Sequence, residues 1–125
     1  MLALSGRTTF VLEHAGMLED RSTEGLQRWR EGMRALADCS NVNVKLSGLG
    51  IFDHAYRLEV IAPIVADSVA MFGADRCLYG SNFPIEKLWT DYASLYRTFR
   101  EAIEPFTEVE QRKILHDTAM RLYRL

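Results

Sequence analysis

The chain has 125 residues, 48% of them hydrophobic and 26% charged, the composition of one globular domain with a real core rather than of a disordered segment. A formal net charge of -2 offers no basic field to nucleic acid, and no apolar run approaches the roughly 18 residues that would cross a bilayer. Met1 to Phe10 lacks the pattern of a signal peptide, and Cys39 and Cys77 form no Cys-x-x-Cys motif, so both read as free thiols of a reducing, cytoplasmic compartment.

Thr8 to His14 reads as a first strand, whose continuous apolar run suits cover on both faces. Ser22 or Thr23 can cap the next helix, in which Leu26, Trp29, Met33, Leu36 and Ala37 recur at helical spacing. The second strand, Val42 to Ser47, alternates: Val42, Val44 and Leu46 face one way, Asn43, Lys45 and Ser47 the other. Ile64, Val65, Val69 and Phe72 mark the second helix. Pro63 in its first turn predicts a start near Ala62, and Gly73 is a fitting C-cap. Cys77 to Ser81 is the third strand, halted by Pro84. Tyr92, Leu95, Tyr96, Phe99 and Ile103 mark one face of the third helix, ahead of Pro105. Thr107 and Glu110 form a capping box for a fourth, and Asp117 can cap a short last helix carrying Ala119, Leu122 and Tyr123.

This alternation predicts an α/β fold of parallel strands with right-handed crossovers. Three strands do not close a barrel, which takes eight and about 250 residues. The chain is therefore either a doubly wound mini-domain or one end of a barrel. In parallel α/β folds function gathers where strands run into the following loops. Those ends here are Glu13-His14-Ala15-Gly16, Lys45-Leu46-Ser47-Gly48-Leu49 and Gly80-Ser81-Asn82-Phe83-Pro84, each polar and glycine-bearing. No Gly-x-Gly-x-x-Gly, P-loop or Gly-x-Ser-x-Gly elbow supports nucleotide binding or serine-hydrolase chemistry.

These strand ends resemble those of the amidohydrolase-related family, TIM-barrel hydrolases that include sugar lactonases and pyrone dicarboxylate lactonases. Members show an Asp-His-x-Gly strand end, a Val-Lys-x-Ser-Gly strand and a Gly-Ser-Asp/Asn-Trp/Phe-Pro strand end. They often finish on a segment like Thr118-Ala119-Met120-Arg121-Leu122-Tyr123-Arg124-Leu125. The resemblance runs from Thr9 onward. It implies that residues 1–125 are the C-terminal portion of one barrel domain, an incomplete (β/α)8 barrel with strands six to eight and their helices. The family's His-x-His motif would lie upstream of Met1.

By the same resemblance, His14 polarises a substrate carbonyl or binds a metal; the bland alternative is a histidine held structurally at a strand end. Asn82 stands where many relatives carry an aspartate that acts as general base on water. An amide cannot accept that proton, though it can orient water or substrate. Lys45 and Ser47 would face the barrel mouth, where Lys45 can bind a substrate carboxylate or pair structurally with an acid. Ser81 and His54, the latter in the loop after strand seven, join them as substrate-binding candidates; His54 can also serve as a replacement acid or base. Arg21 is better explained as a surface cation than as an anion site, and His116 with Asp117 lies in the tail, away from the mouth.

The implied function is a hydrolase that opens a lactone or related cyclic ester or amide. Its partner is a small lactone or carboxylate, and it works with one divalent metal, zinc or manganese, or with none. The 125 residues alone are expected to be inactive. The rival from another class is a non-catalytic α/β piece whose open sheet edge pairs with another chain, a homo-oligomer included.

Overall fold

A computed structural model describes residues 8–125; residues 1–7, on which most of the signal-peptide reading rests, lie outside the described part. Three strands form one sheet, β1 (Phe10–Leu12), β2 (Val42–Leu46) and β3 (Cys77–Tyr79), in the order β1-β2-β3. Both pairings are parallel: Phe10 lies opposite Val42, and Val44 opposite Cys77. Each strand is followed by a helix: α1 (Thr23–Ala37), α2 (Leu58–Phe72) and α3 (Tyr92–Ile103). The tail runs through α4 (Glu108–Arg112), a π-helical turn (Lys113–Asp117) and α5 (Thr118–Tyr123).

The alternation of β2 sorts the two faces of the sheet. Val42, Val44 and Leu46 are buried in the core with Met33 of α1 and with Ile61, Ile64, Val65 and Val69 of α2. Asn43, Lys45 and Ser47 must then lie on the opposite face, because successive side chains of a strand alternate. On β3, Cys77 joins the core, and Tyr79 packs its ring 4.7 Å from Phe99 of α3. The helices thus cover one face, and polar β2 residues mark the other.

Local signals behave as their chemistry requires. The Ser22 side chain accepts from the Gly25 N–H at the start of α1, and Thr107 and Glu110 make the capping box in full. Gly73 ends α2 at φ 79°, in the left-handed region that favours glycine. Other boundaries differ from the sequence reading. The first strand stops at Leu12, not His14, because the backbone of His14 and Ala15 turns left-handed (φ 56° and 48°). Phe10 to Leu12 are only half-buried, since β1 lies at the sheet edge rather than inside it. Helix α2 begins at Leu58, so Pro63 sits inside it instead of at its start. Asp117 is itself helical and caps nothing, because the tail continues through it.

Arg76 ties the ends of the elements opposite the loops that follow the strands. Its guanidinium donates to four backbone carbonyls, those of Ala37 (2.9 Å), Cys39 (3.0 Å), Val42 (3.2 Å) and Phe72 (3.1 Å). Two of these close the last turns of α1 and α2, where a cation also meets the negative end of the helix dipole. Lysine, a single point donor, cannot reach four divergent carbonyls. Arg76→Lys is therefore expected to lower the unfolding free energy by about 2 kcal/mol in a denaturant titration. Among the described residues nothing pairs the outer edges of β1 and β3. Beside β1, Phe10, Val11, Leu12, Leu36 and Val42 line an apolar groove. Expressed as these 125 residues, the chain is expected to self-associate through those edges; sedimentation velocity showing a monomer across the micromolar range would contradict this.

Candidate active-site rim

Parallel strands bring their C-terminal ends to one rim, and three turns build it. The first is Glu13–Gly16, a tight turn with left-handed residues from His14 to Met17. Trp29 of α1 braces it by donating its indole N–H to the Ala15 carbonyl at 2.8 Å, and Met17 N–H closes on the His14 carbonyl at 2.9 Å. The His14 ring is thereby turned toward β2, where Nδ1 meets Ser47 Oγ at 2.8 Å. Ser47 is 1% exposed, so its hydroxyl is a fixed partner rather than a surface group.

The second turn follows β2. A Cβ on Gly48 would stand 2.7 Å from His14 Nδ1, and its φ of 60° independently favours glycine. Gly80, just past β3, which ends at Tyr79 rather than at Ser81, leaves space in the same way: a Cβ there would come 2.9 Å from Ser47 Cβ and 2.7 Å from Lys45 Cε. Lys45 points to this face and pairs with Glu13 at 3.4 Å; both are partly exposed, so the pair contributes little stability. Arg21 is not a free surface cation, because its guanidinium donates to the Leu49 carbonyl at 3.0 Å and straps the first turn to the second.

The third turn follows β3. Asn82 has a left-handed backbone (φ 58°), which asparagine tolerates better than most residues. Ser81 Oγ accepts from the Phe83 N–H at 3.2 Å, so it serves the turn itself. Glu86 is fully buried, and its carboxylate accepts from Asn82 Nδ2 at 3.5 Å and from the Trp89 indole N–H. The Trp89 ring stacks on His54, centroids 5.3 Å apart. Beside this group burial raises the pKa of Tyr56, reinforced by Tyr79 and Glu86, and the Tyr56 hydroxyl is buried without a partner.

His14, Ser47 and the flanks of Gly80 are thus brought together, with Lys45 alongside. Asn82 and His54 belong to a second group, joined through Glu86 and Trp89. Among the described residues six non-glycine positions have positive φ, and three of them are His14, His54 and Asn82. That concentration of costly backbone at the loop ends is characteristic of functional sites. His116 lies elsewhere, bonded at 2.8 Å to Asp117, whose carboxyl it holds below the usual range. Burial pushes the Cys77 thiol up to about 12, which removes it as a nucleophile at neutral pH.

Glu86 and Trp89 were missed in the sequence, although Asn82 and Glu86 stand at an i, i+4 spacing after a strand end, which is a readable signal. Among the described residues no three His, Cys, Asp or Glu side chains gather into a metal site. His14 suits a single ligand, since Ser47 braces one ring nitrogen and the other has no protein partner among the described residues.

Comparison with known proteins agrees with this architecture. The family model described as amidohydrolase matches residues 2–125. An uncharacterised protein of Sinorhizobium fredii is 36% identical over 115 residues, covering 92% of this chain and 38% of its own length. An L-fucono-1,5-lactonase of Burkholderia multivorans is 33% identical over 129 residues, covering 92% of this chain and 43% of its own. The crystal structure of a Burkholderia multivorans amidohydrolase with bound zinc superposes with a TM-score of 0.87 at 29% identity, over 94% of this chain and 44% of that one. The chain therefore spans about two fifths of the length of these relatives. Its three parallel strands match part of the TIM barrel of such enzymes, and the chain belongs to the amidohydrolase family.

Proposed function

We propose that this chain supplies one side of the active site of a lactonase-type hydrolase that opens a small sugar lactone or related cyclic ester. The observation that carries the reading is the His14–Ser47 hydrogen bond at the strand-end rim, on a backbone turned left-handed to present the imidazole. The likeness to an L-fucono-1,5-lactonase supports a lactone over other hydrolysable bonds.

The bond makes His14 chemically definite in either tautomer. If Ser47 donates its O–H to Nδ1, then Nε2 carries the proton and can donate to a carbonyl oxygen as negative charge develops on it. If Nδ1–H donates to Ser47 Oγ, the Nε2 lone pair is free to hold a metal, with the second nitrogen anchored as metal-bound histidines usually are. A divalent ion of zinc or manganese type held there would act as a Lewis acid on the same carbonyl. Asn82 orients the attacking water or the substrate. Lys45 and His54 line the substrate side, with Lys45 placed to meet a carboxylate, and Ser47 and Ser81 serve substrate binding through the turns they hold. Water oxygen bonds to the lactone carbonyl carbon, the ring C–O bond breaks, and the leaving oxygen is protonated to give a hydroxy acid. The water's proton goes to a group other than the Asn82 amide, either His54 or a residue of strands outside this chain. Free Cys39 and Cys77 accord with a reducing, cytoplasmic setting.

The test is lactone hydrolysis followed by acid release, with L-fucono-1,5-lactone first in a panel of sugar lactones. His14→Ala is expected to lower kcat/KM by about 100-fold or more, as loss of an oxyanion donor does. Ser47→Ala is expected to cost about tenfold, as loss of a bracing partner does. Equal turnover by wild type and His14→Ala would refute the assignment. The 125 residues alone are expected to show no turnover, because substrate positioning of about 7–11 kcal/mol is lost when part of the site is absent.

A further inference from the structure

We propose that Glu86 is a positioning residue for Asn82: its buried carboxylate holds the Asn82 side-chain NH2 and so aims the amide oxygen at the reacting water or substrate. The inference rests on the reading of Asn82 as a site residue. It starts from a residue whose placement is costly. Glu86 is fully buried, and among the described residues no cation pairs with it. Burial of a carboxylate with so little compensation is strongly unfavourable, so whatever donors it has are decisive. Those donors are two N–H groups, Asn82 Nδ2 at 3.5 Å and the Trp89 indole.

Toward Glu86 the Asn82 amide presents its NH2, the end that a carboxylate oxygen can accept from. The amide is planar, and its oxygen then points away from Glu86. Among the described residues Asn82 Oδ1 has no protein partner, and it is not among the buried orphaned atoms. An acceptor left open at a strand end can take a hydrogen bond from water or from a substrate hydroxyl. Space is kept for the carboxylate from the opposite loop as well: a Cβ on Gly50 would stand 3.0 Å from Glu86 Oε2 and 3.0 Å from Trp89 Nε1. The same carboxylate fixes the indole on which His54 stacks, so one buried charge sets both side chains of the second group.

The pair Asn82 and Glu86 combines one amide with one carboxylate. An Asp at the rim with a Gln beneath it would be the same combination, with donor and acceptor exchanged. That equivalence supplies the experiment, made in the protein with every segment it naturally carries. Glu86→Gln alone leaves one of the two donors facing an amide NH2. Asn82→Asp alone sets two carboxylates against each other. Combined, the glutamine oxygen can take the Trp89 N–H while its NH2 donates to the aspartate, and the bond returns reversed.

Each single variant is expected to lower the melting temperature by roughly 5 °C. Glu86→Gln is also expected to lower kcat by about tenfold with KM little changed, as loss of a bracing partner does. The double variant is expected to recover the melting temperature, a coupling that two independent structural lesions do not give. In nitrogen-15 spectra the Asn82 side-chain amide protons are expected to move in Glu86→Gln while those of distant asparagines stay in place. A double variant no more stable than the worse single one, or an unmoved Asn82 amide in Glu86→Gln, would overturn the proposal. If the wild type opens none of the lactones, the functional reading fails, and the melting and spectral results still decide whether Glu86 holds Asn82.

Discussion

The molecule is organised around one guanidinium at the end of the sheet away from the candidate site. Arg76 gathers the C-terminal carbonyls of α1 and α2 with two carbonyls at the entry to β2. Its planar fork demands that those groups stay at fixed angles. Fixing that end sets the register of β2 against β3, and register decides which side chains reach the opposite rim. A slip of one residue would turn Lys45 and Ser47 into the helix layer and Val44 and Leu46 out of it. The His14–Ser47 contact at the rim is in this sense a consequence of contacts made one strand length away.

The division between a tightly bonded end and a strained rim follows the usual allocation of parallel α/β proteins, in which one end serves stability and the other chemistry. Arg76 satisfies carbonyls that would otherwise be buried or frayed. At the rim, left-handed backbone at His14, His54 and Asn82 costs energy that only surrounding contacts can hold. Those contacts are identifiable: Trp29 on the Ala15 carbonyl, Arg21 on the Leu49 carbonyl, Trp89 against His54. The two tryptophans thus act alike, each fixing a loop that carries a histidine.

Much of the fold was legible because its signals are local and periodic. The β2 alternation, the Ser22 cap, the Thr107–Glu110 box and Gly73 each depend on residues within a few positions of one another, and each has the structure its chemistry requires. The positions of His14 and Asn82 at strand ends were legible for the same reason. The errors arose where a long-range or backbone constraint outweighed propensity. His14 looked like the end of an apolar strand, and only the bracing by Trp29 and Ser47 shows why the chain turns two residues earlier. Pro63 looked like a first-turn proline, yet packing carries α2 a further turn toward its N-terminus. Arg76 resembles any surface arginine in sequence, since its four partners lie 4 to 39 residues away.

Glu86 illustrates the same limit at the site. In a segment with Lys87 beside it, a glutamate reads as a solvated turn residue, and glutamate is among the side chains least often buried. The loop after β2 packs close to it: a Cβ on Gly50 would clash with the Ala55 carbonyl and stand 3.0 Å from both the Glu86 carboxylate and the Trp89 indole. Asparagine at position 82 and glutamate at position 86 therefore form one electrostatic unit in space, although each looks like a separate residue in sequence. The amide at the rim and the buried acid behind it are physically linked. An aspartate at 82 would set a second carboxylate against Glu86, with acceptors facing each other and like charges in one desolvated corner. The asparagine removes that repulsion and adds a second donor to the Trp89 indole, which is what a buried carboxylate needs.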